Sequence, residues 1–217
     1  MRHFVGTLSA AAIFAMAATA TPAVAADIVQ DWASVKLPAP PALKPVTVDP
    51  KTTALLLLDF MKGNCGQRPR CVATLPAVMK LLGTARASNM AVAFNLTGQP
   101  PKVEDMVDPG LAPRPGEHMI VNGRGANKFY GSSLEAWLKE KGIKTVIVTG
   151  TSAQGAVSGT AQGATERGYK AIVPVDGMSS EDAFRELYAA FNLAGGGPTA
   201  LIENVTVTRG DLMTWGK

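Results

Sequence analysis

Four short apolar runs set the strongest limit on how this chain folds. ALLLL (54–58), MAVAF (90–94), TVIVT (145–149) and KAIVPV (170–175) are of strand length and apolar at nearly every position. They lack the period-two alternation of a strand with one wet face, so they suit strands covered on both faces. Between them lie amphipathic helical segments at 75–88, 133–142, 156–168 and 180–193. Strands alternating with helices predict a mainly parallel α/β sheet with helices on both sides. MIV (119–121) and ENVTVT (203–208) bring that sheet to roughly six strands.

The chain opens MRHFVGTLSAAAIFAMAATATPAVAAD, with Arg2, then an apolar stretch, then small residues ending in Ala23-Val24-Ala25. This pattern predicts a secretory signal peptide over 1–25, cleaved near Ala25, and an exported protein, periplasmic or secreted. Of the 217 residues, 217 − 25 = 192 then remain, enough for one domain with a substantial core. No later segment is apolar for the roughly 18 residues a spanning helix needs. Residues 26–52 carry five prolines and little periodicity, and read as an extended Pro-rich arm anchored by Trp32, ahead of a domain over 53–217.

The net charge of +4 comes from Lys and Arg scattered among acids, without a basic run, which argues against a nucleic-acid partner. Cys65 and Cys71 share one segment, NCGQRPRC. In an oxidising compartment a disulfide is expected rather than two free thiols, and it would fix the loop after Asp59. His118 is the single histidine beyond Ala25 and reads as surface or structural. One histidine and two bonded cysteines do not assemble a zinc site, so neither metal nor cofactor is expected.

In a parallel sheet, ligands bind beyond the carboxyl ends of the strands. Asp59, Asn95 and the turn TGTSAQGAV (149–157) fall at such ends. Asp59 is a general acid or base raised by burial, or a residue that caps the next loop; position alone leaves both open. The turn is one residue too long for a G-x-S-x-G nucleophile elbow and lacks the Lys of a phosphate loop. A helix N-terminus with free N–H groups remains, alongside an ordinary Gly-rich turn. Candidate ligand-binding residues are therefore Asn95, Ser152, Gln154, Gly155 and Ala156. Residues 96–118 hold five prolines and no clear element, a length that usually covers a site or is mobile.

ALLLLDF around Asp59, FYGSSL (129–134) as F-x-G-[ST]-x-L, TVIVTG, VSGTAQGATERGY (157–169) as V-x-x-TA-x-x-A-x-x-x-GY, and VPVDGMSS follow one another in order. Together they resemble the isochorismatase-like cysteine hydrolases, a family that includes nicotinamidases, N-carbamoylsarcosine amidases and true isochorismatases. The resemblance runs from about Thr53 to Asp211 and implies a three-layer α/β/α, Rossmann-like domain. It also implies an Asp base, a Lys and a Cys nucleophile. Asp59 matches the Asp. The Cys position falls on Ala156, whose methyl cannot attack a carbonyl. The Lys position falls on Gly123, leaving Arg124 or Lys128 to supply a cation from elsewhere, unless both are solvated loop charges.

True isochorismatases also lack the Cys, and their Asp is thought to act as a general acid. The resemblance thus implies a divergent hydrolase acting on a small-molecule substrate by Asp59 acid/base chemistry, with Lys128 or Arg124 in support. The alternative is a non-catalytic small-molecule-binding or assembly protein on the same fold. The family's habit of oligomerising admits a homo-oligomer.

Overall fold

The computed structural model describes residues 27–96, 102–121, 125–196 and 203–216. The expected signal peptide lies outside the described residues. The chain divides into two compact units, with the boundary at Pro38. In the first, one helical turn, α1 (Ile28–Asp31), is held by a capping box between Asp27 and Gln30, and Trp32 is exposed.

The second unit opens with β1 (Val46–Val48), so the expected arm contains a strand. It pairs in parallel with β9 (Met213–Trp215) in a small two-stranded sheet. The large sheet contains β2 (Thr53–Leu58), β3 (Ala91–Asn95), β4 (His118–Met119), β5 (Thr145–Thr151), β6 (Lys170–Pro174), β7 (Met178–Ser179) and β8 (Val205–Thr208). Its order is β4-β3-β2-β5-β6-β8, with β7 added to the end of β5, and every pair is parallel. The expected strands are present at close to their expected limits, and β7 is additional.

All six residues of β2 are buried, which explains its unbroken apolar run. Successive side chains point to opposite faces. Ala54, Leu56 and Leu58 enter one core with residues of α3 (Leu134–Glu140), α4 (Ser158–Thr165) and α5 (Ala183–Phe191). Leu55 and Leu57 enter the other with Leu75, Val78 and Leu82 of α2 (Pro69–Ala87). The result is helices on both faces of a parallel sheet.

α2 begins at Pro69, well before the expected residue 75. Proline is favoured at a helix's first position, where its missing N–H costs nothing. The described part of the long Pro-rich segment is not a detached cover. Met106 and Leu111 are buried, Met61 bridges to Met106, and Val107 N–H donates to Phe60 O at 2.9 Å.

Candidate active site

Strand register brings the site together. Leu58 is level with Asn95 on one side and Gly150 on the other, so Asp59 emerges where three neighbouring strands end. Its φ of 61° is in the left-handed region, which Asp tolerates better than most residues. Asp59 N–H donates to Asn95 O at 2.9 Å. Asn95 Nδ2 donates to Asp59 Oδ1 at 2.8 Å, and Lys128 Nζ lies 2.9 Å from Asp59 Oδ2. Asp59, Asn95 and Lys128 are all buried.

Lys128 reaches Asp59 because its loop is seated on α4. Lys128 N–H donates to Thr160 Oγ1 at 3.1 Å, and that hydroxyl donates onward to Ala126 O at 3.2 Å. The face of α4 is flat here: a Cβ at Gly159 would stand 2.9 Å from the Ala126 carbonyl carbon, and one at Gly163 would collide with Asn127. Ser132 Oγ donates to Lys128 O and accepts from Leu134 N–H. Buried Phe129 stacks on Tyr169, with ring centroids 5.9 Å apart. Thr160, Ser132, Phe129 and Tyr169 are residues of the two sequence patterns quoted above, so those patterns have a structural reason: they fix the lysine.

The turn after β5 differs from the expected helix N-terminus. The Thr151–Ser152 peptide is cis, and 153–157 forms a wide π turn before α4 begins. Gly155 and Val157 N–H both donate to Ser152 O at 3.2 Å, so these two donors are already engaged.

A cleft of about 290 Å³ opens over this arrangement, lined by Asp59, Asn64, Arg68, Gly125, Ala126, Thr151, Ser152, Gly155 and Ala156. Asp59, Ser152, Gly155 and Ala156 thus share one cleft. Two other expected ligand contacts do not line it. Asn95 is buried beneath Asp59 and spends its amide N–H on the carboxylate; Gln154 Oε1 accepts from Ser180 Oγ at 2.5 Å. Arg124 and Gly123 lie outside the described residues. His118 is structural: its Nε2 lies 3.0 Å from Ser133 Oγ, and its ring stacks on Trp137 at 4.7 Å. Burial lowers its pKa below the usual imidazole value. Among the described residues, no group of three or more His, Cys, Asp or Glu side chains is placed to hold a metal ion.

Sequence reasoning missed Arg68. Its Nη1 donates to Thr151 Oγ1 at 3.1 Å, and its Nη2 pairs with Glu181 Oε1 at 3.1 Å. The available signal was its place between the two cysteines. Cys65 and Cys71 are bonded, closing a ring from the post-Asp59 loop to the first turn of α2, with Arg68 inside it.

The isochorismatase-domain family model matches residues 53–203. The chain belongs to the isochorismatase family. It is 29% identical over 147 residues to maleamate amidohydrolase from Pseudomonas putida, covering 55% of this chain and 68% of that one. Over 68 residues it is 40% identical to N-carbamoylsarcosine amidase from Arthrobacter sp., a match spanning 31% of this chain and a quarter (25%) of that one. Among solved structures, the nicotinamidase from Staphylococcus aureus aligns with a TM-score of 0.60 at 20% identity, over 73% of this chain and 99% of that one. At that identity the likeness shows the fold, which is that of isochorismatase-family hydrolases.

Proposed function

We propose that this family member is an exported hydrolase acting on a small molecule by acid/base chemistry at Asp59, without a thiol nucleophile. The observation that carries the reading is that Asp59, which lines the cleft, is held from behind by buried Lys128 and Asn95. A carboxylate so fixed can take a proton from water as the water oxygen bonds to the substrate's electrophilic carbon. It can then return that proton to the leaving group as the scissile bond breaks. Lys128 and Asn95 hold the carboxylate's charge and orientation through both transfers. No covalent intermediate is required, consistent with Ala156 at the position where the resemblance places a cysteine. The leader-like first 25 residues and the Cys65–Cys71 bond support an oxidising, exported setting.

Screening amides, vinyl ethers and lactones against wild type and Asp59→Asn tests this. Turnover of one class, lost about 100-fold or more in Asp59→Asn with no covalent adduct by intact mass, is the expected result. Ligand binding without turnover of any class would instead make this a binding protein.

A further inference from the structure

The mechanism above leaves one charged cleft residue unused. Arg68 reaches the same cleft as Asp59 yet plays no part in the proton transfers. We propose that Arg68 is an anion subsite, and that the molecule taken into the cleft is a small carboxylate. This inference rests on the hydrolase reading for what happens at Asp59, but not for the binding itself.

Three observations converge. The first is fixation: Arg68 is clamped by Thr151 at the end of β5 and by Glu181, and its backbone lies within the Cys65–Cys71 ring. A guanidinium so held loses little freedom when it binds. The second is donor capacity. Nη1 and Nη2 each make one of the contacts described, while a guanidinium carries five N–H donors in a planar fork that matches a carboxylate.

The third is charge. Asp59 is already matched by Lys128. Glu181 does not line the cleft, is 44% exposed, and is shared with Arg185 Nε at 3.9 Å. Solvent screens such a partner, so the positive charge of Arg68 is only partly offset on the cleft side. At about 290 Å³ the cleft is at the small end of ligand sites. A substrate bridging Arg68 and Asp59 is therefore a short acid whose reacting group is separated from its carboxylate by only a few atoms.

The test compares two probes of nearly equal shape, succinamate and its neutral counterpart succinamide, by calorimetric titration of the oxidised protein. Wild type should bind succinamate at least roughly tenfold more tightly, as charge-assisted hydrogen bonds imply. Arg68→Gln should abolish that preference. Arg68→Lys, which keeps the charge but not the fork, should retain part of it, and thermal melts of both variants report whether they fold. Asp59→Asn should keep the preference in full.

Equal affinity for the two probes in wild type overturns the subsite, as does failure of succinamate to bind at millimolar concentration. So does a preference that survives Arg68→Gln. The two readings also fail separately. Asp59-dependent turnover indifferent to Arg68 removes the subsite and leaves the hydrolase; an Arg68-dependent carboxylate preference without Asp59-dependent turnover does the reverse.

Discussion

Lys128 Nζ sits 2.9 Å from Asp59 Oδ2, and the two side chains expose only 5% and 9% of their surface. Removing one partner of such a pair strands the other charge away from water. Lys128→Met should therefore destabilise the protein by about 3–5 kcal/mol in urea denaturation at pH 7. The double variant Lys128→Met, Asp59→Asn should recover much of that loss. Strictly additive costs in the cycle would mean that the two side chains do not interact.

Thr160 Oγ1 ties Lys128 N–H to Ala126 O. Thr160→Val keeps the shape and removes both bonds, leaving a buried N–H without its partner. A loss of about 1–3 kcal/mol is expected, together with a fall in kcat larger than the fall in folded fraction. Unchanged kcat in fully folded protein would show that the Lys128 loop does not depend on this hydroxyl.

Ala156 is buried but lines the cleft. Ala156→Cys should give a thiol that reacts with iodoacetamide in unreduced protein, where wild type has no free cysteine to label. α4 begins two residues on, at Ser158, and the positive end of its dipole favours the thiolate, so the thiol's pKa should fall below the usual value of about 8.5. Alkylation at pH 7 no faster than that of free cysteine would refute this view of the turn.

The Cys65–Cys71 ring spans a sequence separation of six. In the chain-entropy model, a closure this short contributes about 2 kcal/mol. Cys65→Ser with Cys71→Ser should lower the unfolding free energy by roughly that amount, and intact-mass analysis should find no alkylation of wild type before reduction. A double variant as stable as wild type would assign the bond no role in the fold.

Burial lowers the pKa of His118. A histidine whose folded pKa lies below its unfolded value binds more protons when unfolded, so its contribution to stability is lost as pH falls below about 6.5. The His118 ring signals followed by NMR should titrate below that value. A midpoint at or above it would contradict the stacked, half-buried placement on Trp137.

Legibility in the sequence followed the physics of each feature. The strands were readable because burial on both faces forces unbroken apolar runs, and Asp59 because a charge ending ALLLL stands out. The start of α2 was not, since Pro76 reads as the first turn of a helix, whereas it lies inside α2 and Pro69 takes the first position. Lys128 was one of two candidates because reach depends on where the loop lands on α4, which Gly159 and Gly163 decide through side chains they do not have. Asn95 and Gln154 pointed to the right strand ends, but their orientation depends on partners, Asp59 and Ser180, remote in sequence. The role of Arg68 becomes visible only when Thr151, 83 positions away, is brought beside it.

The strand order has a consequence for how the molecule is made. β2 pairs with β3 soon after both are synthesised, but its other neighbour begins at Thr145, opposite Thr53, a separation of 145 − 53 = 92 residues. Until β5 emerges, the most apolar strand of the chain has one unsatisfied edge, and pairing across so long a loop is intrinsically slow. Such an edge is an invitation to aggregate. For this protein, the yield of folded material would depend on what shields ALLLL in the nascent chain during that interval, more than on the stability of the finished fold.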